Sequence, residues 1–254
     1  MFHQHTGTQL IPPEPHFRWR GGEITRLEAF TDAVFAFALT LLVVSLEVPR
    51  TFSQLALTMK GFLAFAFCFG LLAHLWHTHY RYSRRYGLQT PYVVFMNSVL
   101  LFVILFYVYP LKFLFTLTIG GLSGANATLE ARPIEIHQVP ALMVVFSLGY
   151  MAVFAVFALL YRYAYGKRKE LELNEYEAVR TRNAMIDYTV VAGLGLLVAV
   201  TASLLPARIA FLSIFLLCLS PVYRLVSKPV QRRQEQSALE RVQAVERAAA
   251  VTLP

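Results

Sequence analysis

The chain has 254 residues, of which 57% are hydrophobic and only 15% charged, with a formal net charge of +8. Ordinary soluble domains run near 45–50% apolar and about 25% charged. A water-soluble globule carrying 20 Phe and 13 Tyr at this length would expose too much apolar surface, which excludes a disordered chain, a coiled coil and a simple soluble enzyme.

The first apolar run begins after more than twenty polar or mixed residues that include Arg18, Arg20, Glu23 and Arg26. That pattern does not match a cleaved leader, so the chain is expected to be retained whole in its membrane. Charges then bound six candidate spans, since a crossing helix needs about 20 apolar residues. They are Ala33–Leu46, Gly61–Tyr80, Tyr86–Leu111, Gln138–Tyr161, Tyr188–Ala207 and Ile209–Tyr223. The runs are continuous rather than alternating, which predicts an all-α integral membrane protein with six transmembrane helices. Pro91 and Pro140 fall near the starts of the third and fourth spans, where a missing N–H does little harm. The loop from Ile119 to Val139 is too small for a catalytic domain. The short link Leu205-Pro206-Ala207-Arg208 makes the last two spans an antiparallel hairpin.

Phe62, Phe65, Phe67, Phe69 and the Tyr residues of the third span read as lipid-facing and belt residues. Gly193 and Gly195 suggest close helix packing. Beyond the last span, Gln231 to Ala250 reads as a weak cytoplasmic helix. The expected organisation is a cytoplasmic segment 1–23, a six-helix membrane domain 24–227 and a cytoplasmic tail 228–254.

Lys and Arg set the orientation. With the N-terminus inside, the inner segments hold 18 of the 23 basic residues and the outer segments 5. The basic surplus is therefore a topology signal rather than a nucleic-acid footprint, and both termini are expected to be cytoplasmic.

The first span is the anomaly. Its 14 residues make roughly 21 Å of helix against a hydrocarbon core of about 30 Å, so Asp32 and Thr31 must be drawn toward the membrane. A carboxylate there costs at least ~2.5–3.5 kcal/mol, and Asp32 is expected to be buried against protein partners; a thinned membrane would instead leave it in the interface. At about 100° per residue, Phe37, Thr40, Leu41 and Val44 fall within one arc of about 100°, and Asp32 lies about 140° from Phe37. By periodicity alone, that stripe is equally an ordinary packing face.

Other constellations carry less. His74 and His77 are one turn apart, but no Cys, Asp or Glu on the same helix completes a metal site. Cys68 and Cys218 give neither a disulfide framework nor a zinc spacing. No Ser–His–Asp grouping, P-loop or dinucleotide fingerprint is present, so neither an enzyme nor a cofactor is expected. No TVGYG-like carbonyl filter occurs either.

The run Arg26-Leu27-Glu28-Ala29-Phe30-Thr31-Asp32 resembles the first-helix signature R-x-x-x-F-S-D of the bacterial branch of the TMEM175 family of potassium-permeable channels. Trp76 and His79 on the second span, Asn97 on the third and Tyr109-Pro110 at its end agree with it, whereas Thr31 departs from the usual Ser but keeps the hydroxyl. The resemblance implies a homotetramer in the plasma membrane whose first helices line the pore. It implies a hydrophobic constriction at Phe37, a hydroxyl ring at Thr40 that assists potassium discrimination, and a further apolar layer at Val44, with Leu41 on the same face. It further implies that Arg26, Phe30, Thr31 and Asp32 join Trp76, His79 and Asn97 in a network that fixes that helix. Potassium is then the permeant ion, and the partners are other copies of the chain and the bilayer. A proton-coupled secondary transporter using Asp32, His79 and Asp187 is the alternative, although the broken helices or inverted repeats that would favour it are not visible. A membrane scaffold comes third.

Overall fold

The computed structural model of the chain describes residues 14, 16–44, 50–60, 62–122, 135–207 and 209–252. Among them are seven α-helices: α1 Arg26–Val44, α2 Phe52–Lys60, α3 Phe62–Tyr86, α4 Pro91–Leu122, α5 Val139–Gly166, α6 Glu175–Leu204 and α7 Leu219–Thr252. Two 3-10 segments, Ile136–Gln138 and Ala210–Cys218, precede α5 and α7.

Five stretches are long and apolar enough to cross a membrane: α3, residues Pro91–Leu114 of α4, α5, α6 and Leu212–Val245. The first expected span, α1, is not among these five described stretches; its 19 residues carry Arg26, Glu28 and Asp32 in the first two turns, ahead of the apolar run. Its expected end at Leu46 lies outside the described residues, as do Arg208 and most of the loop between α4 and α5. The middle spans appear as helices with longer ends than the charge boundaries suggested. α6 starts thirteen residues before Tyr188 because Asn174 and Glu177 form a reciprocal capping box that satisfies the first backbone N–H groups.

The sixth expected span, Ile209–Tyr223, is not one α-helix. Nine of its residues wind as the 3-10 segment, and α7 starts only at Leu219. The tighter winding rises about 2.0 Å per residue instead of 1.5 Å, so a short apolar run gains about 4–5 Å of length. α7 then passes through position 228 without a break and includes the expected tail helix. Side-chain pairs run in opposite senses along α6 and α7. Asp187 meets Gln231, Asn183 meets Glu235 and Glu175 meets Arg241, so the expected hairpin is antiparallel.

α5 packs most extensively on α6, with α4 on the other side of α5 and α3 beyond it; α1 lies against α3 and α4. Two glycines permit these approaches. A Cβ on Gly149 would run into the Tyr107 ring of α4, and one on Gly195 would sit 3.1 Å from the Met151 backbone of α5. Gly193 has open space beside it, so only one of the two expected packing glycines serves that purpose. The Tyr residues of the third span also divide differently from expectation. Tyr86 and Tyr107 are buried, Tyr92 stacks on Tyr163 at 4.6 Å, and only Tyr109 is exposed. Tyr82, Tyr86, Tyr161 and Tyr188 form an aromatic core whose hydroxyls are answered where they are buried: Tyr86 bonds Thr181 at 2.8 Å and Tyr82 donates to the Leu160 carbonyl at 3.2 Å.

Residues 16–22 form a strap across the end of this bundle that carries the basic residues. Phe17 is buried edge-on to Tyr86 and under the Arg85 guanidinium. Glu177, 1% exposed, accepts from the backbone N–H of Arg18 at 2.7 Å and from Arg20 Nη2 at 2.5 Å. At the start of the strap, Glu14 accepts from Arg85 at 2.6 Å and Arg81 at 2.7 Å and pairs with Arg180 at 3.1 Å. One carboxylate thereby ties α3 to α6.

Burial alone would raise the Glu14 carboxyl, but Arg85, Arg180 and Arg81 together hold it below its ordinary 4.5. A depressed carboxyl contributes stability at pH values above its unfolded pKa and loses it as the pH falls through the folded value. The strap should therefore hold at neutral pH and become susceptible to limited proteolysis as the pH falls below the ordinary carboxylate range, through the depressed Glu14 value. Glu14→Gln should lower stability in detergent by on the order of 1–3 kcal/mol at neutral pH and abolish that acid step.

Candidate functional site

α1 begins with a capping box. Thr25 Oγ1 accepts from the Glu28 N–H at 3.1 Å and Glu28 Oε2 accepts from the Thr25 N–H at 2.9 Å. Glu28 also lies 3.8 Å from Arg84, and the Arg84 Nη1 donates to the Gly22 carbonyl at 2.6 Å, so the start of α1 is tied to the end of α3.

From there the helix shows two faces. Thr31, Phe35, Ala38 and Leu42, spaced at four, three and four residues, are buried against α3 and α4. Arg26, Phe30, Ala33, Phe37 and Thr40 lie on the opposite edge and are exposed on the single chain, Phe37 by 55%. Leu41 is half-buried at the margin of that edge. Val44 follows at the same angular position as Phe37, and its side chain lies outside the described residues.

Thr31 is fully buried and saturated with hydrogen bonds. Its hydroxyl donates to the Leu27 carbonyl at 2.7 Å and accepts from Asn97 Nδ2 of α4 at 2.8 Å. Asn97 is buried as well, and its Oδ1 has no partner among the described residues. His79 of α3 is buried beside Asn97, and both border a cavity of about 310 Å³ between the strap, α1, α3 and α4.

Asp32 departs from its expected burial inside the subunit: it is exposed on the single chain. One residue beyond Thr31, it is turned about 100° away from the packed face. The Trp76 indole reaches out to it, donating from Nε1 to Oδ1 at 2.8 Å, with Tyr80 against the indole at 5.9 Å between ring centroids. The expected network is therefore two separate contacts, Thr31–Asn97 with His79 alongside, and Asp32–Trp76. Among the described residues of the single chain, Arg26 and Phe30 take part in neither contact and share the exposed edge with Phe37.

Three carboxylate and imidazole groups expected in a proton-coupled carrier are likewise dispersed. Asp32 is bound by Trp76 and His79 borders the cavity next to α1. Asp187 is satisfied by Tyr223 at 3.2 Å and Gln231 at 2.7 Å on α7. Among the described residues no group of three or more His, Cys, Asp or Glu side chains could hold a metal ion. The strap and α2 were missed in the sequence, and the strap has the more readable signal. Glu14 is the one acid among the first 22 residues and stands just ahead of Arg18 and Arg20.

The chain is similar to known proteins. Residues 26–107 match the family described as endosomal/lysosomal potassium channel TMEM175. A protein of Marivirga tractuosa named potassium channel is 42% identical over 182 residues, covering 70% of this chain and 74% of that protein. A potassium channel of Chamaesiphon minutus is 31% identical over 96 residues, 35% of this chain and 47% of its own length. Among solved structures, a variant of the potassium channel MtTMEM175, crystallised with a nanobody–MBP fusion, superposes with a TM-score of 0.77 at 36% identity. The match covers 88% of this chain and 100% of that one. A lysosomal potassium-selective channel TMEM175 homolog from Chamaesiphon minutus agrees in fold, with a TM-score of 0.52 at 23% identity over 80% of this chain and 96% of that one.

Replacing Asn97 with Leu removes the one side-chain donor to Thr31 among the described residues and should lower stability in detergent by on the order of 1–3 kcal/mol. Thr31→Ser keeps both hydrogen bonds and should stay within about 1 kcal/mol of the parent, measured by thermal unfolding of the purified protein.

Proposed function

The chain belongs to the TMEM175 family, and from that premise we propose that it is a potassium-permeable cation channel of four identical subunits whose pore is lined by α1. Relatives named potassium channels support the activity. The observation that carries the pore assignment is the bare edge of α1. Phe37 and Thr40 stand exposed on a helix whose other face is packed on α3 and α4. At membrane depth a hydroxyl turned to lipid gains nothing, whereas four such edges around an axis make a water path.

In that arrangement each layer has a physical task. Four Phe37 rings narrow the path and gate it by dewetting. Thr40 Oγ1 donates to the Ala36 carbonyl at 2.9 Å, so its proton is committed to the helix and its lone pairs remain for a cation that sheds part of its water. Val44 is the next apolar layer, and Leu41 backs the edge. Such a pore has no carbonyl cage, which favours moderate selectivity and leak-like conduction. Potassium passes as the permeant ion, without a cofactor.

α1 is the sixth crossing, its apolar run backed by the Thr31–Asn97 and Asp32–Trp76 contacts that set its rotation. The distribution of basic residues supports cytoplasmic termini and a multi-pass protein of the plasma membrane. Arg26 and Phe30, on the same edge as Phe37, then stand at the inner mouth.

Reconstituted into liposomes with potassium on one side and sodium on the other, the protein should carry passive potassium flux. Phe37→Ala should raise that flux several-fold by widening the dewetted layer. Thr40→Ala should reduce the potassium preference by about fivefold, the equivalent of one lost oxygen contact per site. Unchanged conductance and selectivity in both variants would overturn the pore assignment.

A further inference from the structure

We propose that the basic end of the bundle holds a phosphate-bearing anion in a cavity of about 320 Å³ between α3, α5, α6 and α7. This site is separate from α1 and its Phe/Thr edge. α3 contributes Arg85 and α6 contributes Arg180, while α7 supplies Arg224, Lys228 and Arg232. The spacing of four places the last three on one face of α7, directed to the cavity they line.

The distribution of partners points to a ligand. Arg85 and Arg180 are answered by Glu14, and Arg180 also by Glu235 at 3.5 Å. Asp187, the other acid lining the cavity, is occupied by the neutral donors Tyr223 and Gln231. Among the described residues Arg224, Lys228 and Arg232 have neither an ion pair nor a hydrogen bond, although like charges four apart on a helix repel one another. Arg224 is half-buried, close enough to His74 and Tyr188 to act on both electrostatically. Arg85 is only 3% exposed, yet its Nε has no partner. Six cations line the cavity against two acids, Asp187 and Glu235, with Arg85 buried and Arg224 half-buried among them, and that surplus makes a site for an anion that completes it.

The size and the residue types narrow the chemistry. A volume of this order has room for about ten waters, more than a chloride ion needs and within the range of small-ligand sites. Guanidinium groups bind phosphate through paired N–H donors, and Lys228 supplies a mobile charge at the rim. Basic recesses between spanning helices suit anionic head groups. Val222, Leu225 and Val226 are exposed on α7 beside Arg224, where acyl chains could lie. A phospholipid head group and a free phosphate compound share the recognised chemistry.

The test reads binding rather than flux, so its outcome does not depend on the channel reading. Thermal midpoints of the full chain in neutral detergent would be followed on titration with phosphatidic acid, phosphatidylglycerol, phosphatidylcholine, inorganic phosphate and glycerol 3-phosphate. Three proteins are compared: the parent, the cavity variant R224Q/K228Q/R232Q, and K169Q/R233Q/R247Q, which loses the same charge at exposed positions away from the cavity. The midpoint should rise with the anionic phosphate-bearing probes, and not with zwitterionic phosphatidylcholine, in the parent and in the exposed-charge variant; an equal rise with phosphatidylcholine overturns the anion reading. Apparent affinity should fall about tenfold or more in the cavity variant. A response to the anionic lipids alone identifies a head group; an equal response to the soluble compounds identifies a free phosphate. No midpoint shift in the parent, or equal weakening in both triple variants, overturns the proposal. If the cavity variant does not elute as a folded species, K228Q/R232Q at the rim replaces it under the same criteria.

Discussion

A helix that carries Arg26, Glu28 and Asp32 beside a bare Phe/Thr edge has no fixed place in a bilayer on hydrophobicity alone. Lipid tails are as apolar as leucine side chains, so they exert little drive to press one helix on another. What sets the rotation of α1 is polar. The Thr31 hydroxyl, bonded at once to its own helix and to Asn97, fixes the buried side, and the Trp76 indole takes up the carboxylate that emerges one residue later. Each such bond contributes only on the order of 1 kcal/mol net, yet together they decide which residues are left uncovered. The exposed position of Phe37 and Thr40 follows from the anchoring of Thr31.

The strap extends this control beyond the membrane helices. It leads into α1 through Gly21 and Gly22, and its contacts are with α3, with α6 and with the turn between α5 and α6. Gly87 completes the junction: it has a φ of +58°, and a side chain there would meet the Arg20 carbonyl at 2.9 Å. The first helix thus receives its axial position from one end of the bundle and its rotation from Trp76 of α3 and from Asn97 near the start of α4.

Much of this was legible in the sequence because it depends on periods and charges. The long apolar runs gave the crossing helices, the 3.6-residue period put Phe37 and Thr40 on one edge, and the signature around Thr31 led to Asn97 and His79. The failures have a common cause in partners remote along the chain. Asp32 was expected to be buried because a charge in hydrocarbon is costly, but on the single chain it is exposed and its partner is an indole N–H 44 residues away. Arg26 and Phe30 were grouped with the anchoring residues by the family resemblance, whereas on the single chain they share the exposed edge with Phe37. α2 carries too short and too mixed a pattern, FSQLALTMK, to be distinguished from a loop. Tyr86 and Tyr107 were placed in an aromatic belt, since nothing in a single sequence reveals the hydroxyl and ring neighbours that bury them.

The 3-10 winding of Ala210–Cys218 has a rotational result as well as a longitudinal one. Each residue turns about 120° in that form instead of 100°, so nine of them displace everything downstream by about half a revolution. Wound as an ordinary α-helix, the same residues would swing the row Arg224, Lys228, Arg232 away from α3 and α6 and present the valines and leucines of α7 in its place. Which chemistry α7 offers to its neighbours is thus an angular sum fixed before the helix begins, and a single residue added to or removed from that short coil would reassign it.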